Sequence, residues 1–463
     1  MKKPIFTNTN PNIRLVFNFL LLLIFVFVSI SISPSILGES QPDSNDFMTH
    51  SKTRNFIYLI FFRFSELFNF DLILFQKLLF SFSVVSIVYA LRHIKINKFF
   101  CAVFLLAILL NFYLTSFSKI YLAESLFFSF INILIALLLI NGTHKSLLYY
   151  FLTGLFVGLV FATKKVGPVI AISFIVFIAI SILRMRKRKE TLLFFGSIFF
   201  VVLIENLFFF SKFDERESVF TQSMMGKIFL ISGKDSFIID NYPIDLRDTL
   251  NLSKQKFSKI HEFLDKIANP FLKAELMADF EVSAQYQFLD ENPESKKIKK
   301  KFIDNVNETY FELLKYNFSD YIKMSYFHYI GMWSAGHKFS LINHYELDKK
   351  ELIFKEELLK SSGPVNIFNY TMLKYAQSLF ILLFIIFIIL TILSIFLLLS
   401  KRNNNRTLFI FFIFTSQLYL ITISLVNVAT LRYLMPVYSL IIVAIIIISN
   451  DFRNVFNEIS KKN

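Results

Sequence analysis

Apolar runs close to the length of a bilayer crossing recur along this chain, and they leave few folds open. About Ile13–Ile32, Leu72–Leu91, Phe99–Phe117, Ser125–Ile140, Leu192–Phe210, Ala376–Leu399, Leu408–Val428 and Leu434–Ile448 are each nearly free of charge. A helix needs about 20 such residues to cross a hydrocarbon core. Leu147–Leu183 is too long for one crossing and is broken by Thr163-Lys164-Lys165-Val166-Gly167-Pro168. It reads as a hairpin of two short helices, with Pro168 in the first turn of the second. A soluble domain of 463 residues would not carry 61 Phe and only 18% charged residues. The expected fold is therefore an all-α polytopic membrane protein with about ten crossings.

The bases set its orientation. The net charge of +15 would suit nucleic acid, but the Lys and Arg cluster in short loops between apolar runs. That is the positive-inside pattern, and no nucleic-acid partner is expected. Arg92-His93-Ile94-Lys95-Ile96-Asn97-Lys98, Arg184-Met185-Arg186-Lys187-Arg188-Lys189 and Lys401-Arg402 mark cytoplasmic loops. Both termini are expected in the cytoplasm of a multi-pass inner-membrane protein. No convincing small-x-small cleavage site follows Ser31-Ile32-Ser33-Pro34, so the first run reads as an uncleaved helix. Three parts result: residues 1–210 with a first outer loop at 35–54, an extracytoplasmic segment at 211–374, and closing helices at 375–463. Asn55–Phe70 reads as a helix at the interface. In the outer segment Phe257, Ile260, Phe263, Leu264 and Ile267 fall at helical spacings, so a mainly helical domain is expected. Cys101 is the single cysteine, which excludes a disulfide framework and a cysteine-based zinc site.

That topology gathers Asp43, Asp46, Glu124, Lys164, Lys165 and Arg432 near the outer interface, with Glu205 about a turn inside it. Ionisable groups there are costly and usually face cavities or partners. Asp43 or Asp46 can act as a general base toward an acceptor hydroxyl. Pro42-Asp43-Ser44-Asn45-Asp46 also has the make-up of a helix start, with Asp43 or Ser44 as cap. Lys164 and Lys165 oppose the usual charge bias, which suits a lipid phosphate leaving group or snorkelling to headgroups. Arg432 can hold a phosphate bidentately beside Tyr433, or anchor its helix at the interface. Glu124 can favour a helix N-terminus. Glu205 stands within an apolar run. His328, His337 and His344 lack the spacing of a helical metal site, and no Gly-rich nucleotide loop occurs.

Pro42-Asp43-Ser44-x-x-Phe47 resembles the Pro-Asp-Ser-x-x-Tyr element after the first span of the bacterial GT-C glycosyltransferases. These include the dolichyl-phosphate-mannose–protein mannosyltransferases and the aminoarabinose transferases of lipid A. Ala123-Glu124-Ser125-Leu126-Phe127 is similar to their Thr-Glu-Ser-Leu-Phe element. Gly154-x3-Gly158-Leu159 through Thr163-Lys164-Lys165-Val166-Gly167-Pro168 is similar to their Gly-x3-Gly-Leu-x3-Thr-Arg-Pro hairpin. Leu431-Arg432-Tyr433-Leu434-Met435-Pro436 is similar to their Arg-Tyr-x-x-Pro element. Phe47 and Lys164 depart from the usual Tyr and Arg, and the paired Asp-Glu of the protein mannosyltransferases is missing.

The resemblance implies a GT-C-like bundle. Its reaction would be inverting transfer from a polyprenyl-phosphate sugar to an envelope glycolipid, glycan or protein, outside the cytoplasmic membrane. Asp43 would be the base. Asp46, Glu124 and Glu205 would be supporting acids. Lys164, Lys165 and Arg432 would hold the donor phosphate, and Tyr433 would touch sugar or lipid. Some members use a divalent metal, but the loop supplies too few ligands to assign one. A lipid-linked glycan polymerase or ligase, a flippase-type transporter, and a non-catalytic scaffold are the competing readings.

Overall fold

The computed structural model describes residues 11–33, 55–140, 146–184, 188–214, 219–289, 297, 300, 304–335, 367–399, 404–428 and 430–460. Among the described residues there are seventeen α-helices and no strand. Contacts divide the chain into two units: 1–215 with 392–416 and 438–463, and 216–391 with 417–437.

The first unit holds α1 (Pro11–Ile32), α2 (Phe56–Phe68), α3 (Leu72–His93), α4 (Lys98–Leu109), α5 (Phe112–Ser116), α6 (Ala123–Ile140), α7 (Leu147–Thr163), α8 (Gly167–Arg184) and α9 (Arg188–Phe210). Polar residues start several of them. Asp71 accepts from Ile73 N at 2.8 Å, Asn97 from Phe99 N at 2.9 Å, and Ser146 from Tyr149 N at 3.3 Å. Each satisfies an amide that has no partner within its own helix. α6 lies between α3 and α7, and it is buried along nearly its whole length. Asn132 on α6 donates to Ser83 Oγ on α3 at 3.2 Å, so its buried amide is paired. α7 packs in turn on α8 and α9.

Gly154 and Gly158 allow the α7–α9 approach. A Cβ at Gly154 would lie 2.1 Å from Ser197 Oγ and 2.2 Å from the Phe194 carbonyl oxygen, and one at Gly158 would lie 2.9 Å from Val201 Cβ. Small residues spaced this way let two helix backbones close on each other where no hydrophobic gradient drives them together.

The second unit holds α10 (Val219–Ser232), α11 (Ile244–Asp265), α12 (Pro270–Leu289), α13 (Val306–Tyr316) and α14 (Phe318–Gly331). α11 buries Leu246, Leu250, Phe257, Ile260 and Leu264 at the spacing expected of an amphipathic helix. These side chains join Phe229, Met277, Tyr321 and Met324 in one core. α15 (Ile367–Leu398) and α16 (Asn404–Val426) each have residues in both units, as does the last helix at its first turn. α17 (Met435–Ser460) closes the chain.

Among the described residues seven helices are long and apolar enough to cross a membrane, and the bent pair Lys98–Leu109 and Phe112–Lys119 makes an eighth if counted as one span. Ten crossings were expected. The two helices of the expected hairpin, Leu147–Thr163 and Gly167–Ile182, are apolar but shorter than these. Large apolar side chains stand exposed along α1 and α9, among them Phe17, Leu21, Ile24, Phe199 and Leu207, as a lipid-facing surface requires.

Candidate functional site

The hairpin break is where the first unit brings predicted site residues together. α7 stops at Thr163, and Lys164 is extended, with φ −137° and ψ 148°. Gly167 N donates to Lys164 O at 2.8 Å, closing the turn. A Cβ at Gly167 would stand 2.0 Å from the Val160 carbonyl oxygen, so only glycine fits the tight return into α8. Lys164 Nζ then reaches Glu124 Oε1 at 2.7 Å. Glu124 sits in the first turn of α6 and is 2% exposed. Lys165 is half-buried beside it in the chain. The turn that leads into α8 thus carries one lysine paired with a buried carboxylate and a second, half-buried lysine.

Tyr58 on α2 is close enough to Glu124 to feel its charge. Burial first, and then Glu124 and Tyr121, push its phenol well above the ordinary value. It is therefore a proton donor across the whole physiological range.

Both described flanks of 34–54 are tied into the first unit. On one side Ser33 Oγ lies 3.3 Å from Thr115 Oγ1, and Lys119 Nζ donates to the Ser33 carbonyl. On the other, Asn55 Nδ2 donates to Ala162 O at 3.0 Å, two residues before Lys164. The next amide, Phe56 N, donates to Glu205 Oε1 at 3.1 Å. Glu205 thus serves as a cap for α2, delivered from α9. It is a buried acid, as its place in an apolar run suggested, and one of its contacts is this helix start. Asp43 and Asp46 lie outside the described residues.

Arg432 and Tyr433 belong to the second unit, in a short 3-10 turn, Leu431–Tyr433, before α17. The Arg432 guanidinium carbon lies 5.3 Å from the Tyr433 ring centroid. The Tyr433 hydroxyl accepts from Asn427 Nδ2 at 2.9 Å, and Asn427 Oδ1 accepts from Ser223 Oγ at 3.2 Å.

That amide leads into a cluster the sequence reading missed. Lys227 Nζ donates to the Asn427 carbonyl at 3.2 Å and lies 3.6 Å from Glu281 Oε2. His328 Nε2 lies 2.6 Å from the same carboxylate oxygen. All three side chains are fully buried. Burial, and then the Lys227 charge, hold His328 below its ordinary value despite the pull of Glu281. Burial would raise Glu281, but Lys227 and His328 outweigh it and hold the carboxyl below the usual range. Burial draws Lys227 down against the opposing effect of Glu281. The neutral His328 therefore donates from Nε2, and its Nδ1 and Glu281 Oε1 have no partner among the described residues. One signal could have found it: Lys227 interrupts Met224-Met225-Gly226-Lys227-Ile228-Phe229-Leu230 just as Glu205 interrupts its own run.

Among the described residues, no three His, Cys, Asp or Glu gather to hold a metal. His328, expected as a surface or core histidine, is in the core. A separate cavity of about 320 Å³ in the second unit is lined by Lys234, Asp265, Lys273 and Asp320. Within it Lys234 pairs with Asp320 and Lys273 with Asp265, and Asp235, Glu262 and Lys323 line it as well. No protein-family model, curated protein or solved structure matches this chain.

Proposed function

We propose that this chain is an inverting glycosyltransferase of the GT-C kind. It would move a sugar from a polyprenyl-phosphate donor to an envelope glycolipid, glycan or protein at the outer side of the cytoplasmic membrane. The observation that carries the reading is the Glu124–Lys164 pair at the helix break, two residues from the carbonyl that ties down one flank of the Asp43 segment. A cation held by a buried carboxylate at a helix N-terminus is preorganised for an anion that gains charge during reaction. The resemblance supplies Asp43 as base and Arg432 as a further phosphate ligand.

In this reaction Asp43 takes the proton of the acceptor hydroxyl. The oxygen attacks the anomeric carbon from the side opposite the phosphate, and the bond from that carbon to the phosphate oxygen breaks. The leaving polyprenyl phosphate carries one more negative charge than the donor diester did. Lys164 and Lys165 offset it, and Glu124 keeps Lys164 aimed.

The test is transfer by purified protein from a panel of polyprenyl-phosphate sugars. Asp43→Asn should lower turnover about 10²–10⁴-fold, the usual worth of a positioned base. Lys164→Met with Lys165→Met should also lose turnover, while Glu124→Gln should lose less because the cation remains. Full transfer by Asp43→Asn would remove the base assignment. Full transfer by the double lysine variant would remove the phosphate site and with it the main support for the reading.

A further inference from the structure

The end of the first unit away from the hairpin break carries a second concentration of charge that the transfer reading does not use. The turn between α3 and α4 meets α17 there, around a cavity of about 440 Å³. Four cations line it: Arg92, Lys95, Lys98 and Arg453. No acid lines it, and none of the four makes an ion pair with a described residue. The neighbouring acid, Asp451, accepts instead from Asn405 Nδ2 at 3.1 Å.

Two features show a built arrangement. Asn450 is buried, and its Oδ1 accepts from Asn97 N at 3.3 Å, which fastens α17 to the α3–α4 turn and makes the cations converge. Arg92 Nη1 donates to Ile96 O at 2.5 Å, which fixes the guanidinium on the same turn. Lys95 is the second feature. Its φ is 65°, the left-handed region, and its amide and that of Ile96 close the end of α3 onto Arg92 O and Leu91 O. Glycine or asparagine is the usual residue there, because a longer side chain crowds the following carbonyl. Orientation by the positive-inside rule needs bases in this loop, but it does not need one at the single position where the backbone disfavours it.

We propose that this pocket binds a phosphate anion at the membrane surface. Its source is the phosphodiester headgroup of an anionic lipid or free inorganic phosphate. The pocket sits at the ends of the candidate spans Leu72–His93 and Met435–Asn454 and at the start of the bent pair that begins at Lys98, the level at which headgroups lie. Arg92 and Arg453 supply planar forks for two oxygens, and Lys95 and Lys98 supply point charges. The site stands apart from the hairpin break and holds whether or not the chain transfers sugar.

Full-length protein in neutral detergent is titrated with phosphatidylglycerol, with phosphatidylcholine and with inorganic phosphate. Native mass spectrometry reads bound lipid, and thermal unfolding reads stabilisation. A rise with phosphatidylglycerol alone assigns the lipid headgroup. An equal rise with inorganic phosphate assigns the free anion. The variant is Lys95→Gly with Arg453→Gln, because glycine accepts the left-handed turn and the fold should survive. Each cation near such a surface is worth about 1 kcal/mol, so the double variant should bind about thirtyfold more weakly. Equal response to phosphatidylglycerol and phosphatidylcholine with none to phosphate would overturn the proposal. So would a double variant that binds as the native chain does.

Discussion

Replacing Glu281 by glutamine tests the buried cluster most directly. The change keeps shape and volume and removes one charge. Lys227 would then sit fully buried with no carboxylate beside it, left with neutral oxygens such as the Asn427 carbonyl, 3.2 Å away. Removing one member of a buried ion pair costs about 3–5 kcal/mol, because the other charge is left uncompensated. A whole domain is stable by only about 5–15 kcal/mol, so the loss should be plain in any unfolding measurement. Lys227→Met should cost less. It leaves Glu281 with His328, and it removes the Lys227 charge that helps keep the imidazole neutral, so His328 can take up a proton and replace the lost cation. The double variant should be more stable than the sum of the single losses implies, by about 1–3 kcal/mol of coupling. The chain's one tryptophan, Trp333, is fully buried in the same unit against Phe384 and Phe387, at ring-centroid distances of 5.4 and 5.2 Å. Its fluorescence during denaturation in detergent is therefore a local reporter. A Glu281→Gln variant within about 0.5 kcal/mol of the native protein, or strict additivity in the double variant, would refute this account of the cluster.

Two further outcomes follow from the same structure. The folded pKa of His328 lies below its ordinary 6.5, so the unfolded chain binds more protons there as pH falls through that value. Stability should be fully present above about pH 6.5 and decline below it, with a further loss in the carboxylate range as Glu281 is forced to protonate; His328→Gln should flatten the first part of a pH–stability curve and leave the second. In α7 and α9 two glycines should behave oppositely. Gly154→Ala drives a Cβ into Phe194 O and Ser197 Oγ and should destabilise by at least about 1–3 kcal/mol, whereas Gly196→Ala meets nothing within 4 Å and should be neutral or stabilising by up to about 1 kcal/mol, both read by thermal unfolding.

The apolar runs made the helices legible, because a chain with so few polar groups must satisfy its backbone within each segment. The break at Thr163–Gly167 was legible too, since two lysines, a glycine and a proline cannot continue an apolar helix. Glu124 and Lys164 were both singled out, but their bond joins residues 40 apart and depends on how α6 and α7 are rotated, which no local pattern encodes. Glu205 stood out by position, while its partner is a backbone amide that carries no sequence signature at all. Lys227, Glu281 and His328 come from three helices, and His328 was grouped instead with His337 and His344, which lie outside the described residues. The two hairpin helices are the expected crossings of most marginal length, because the break that was read from the sequence divides one long apolar run between them.

The bond from Phe56 N to Glu205 also has a meaning in time. The two groups are 149 residues apart in the chain. At about 5–20 residues per second, synthesis leaves the start of α2 without its cap for about 7–30 s after Phe56 is made. Asn55, tied to Ala162, waits through 107 of those residues. The segment that carries Asp43 therefore gains its downstream anchor only when α7 and α9 have been delivered, so a chain stalled before Glu205 would hold every motif of the first hairpin and still lack the frame that fixes them.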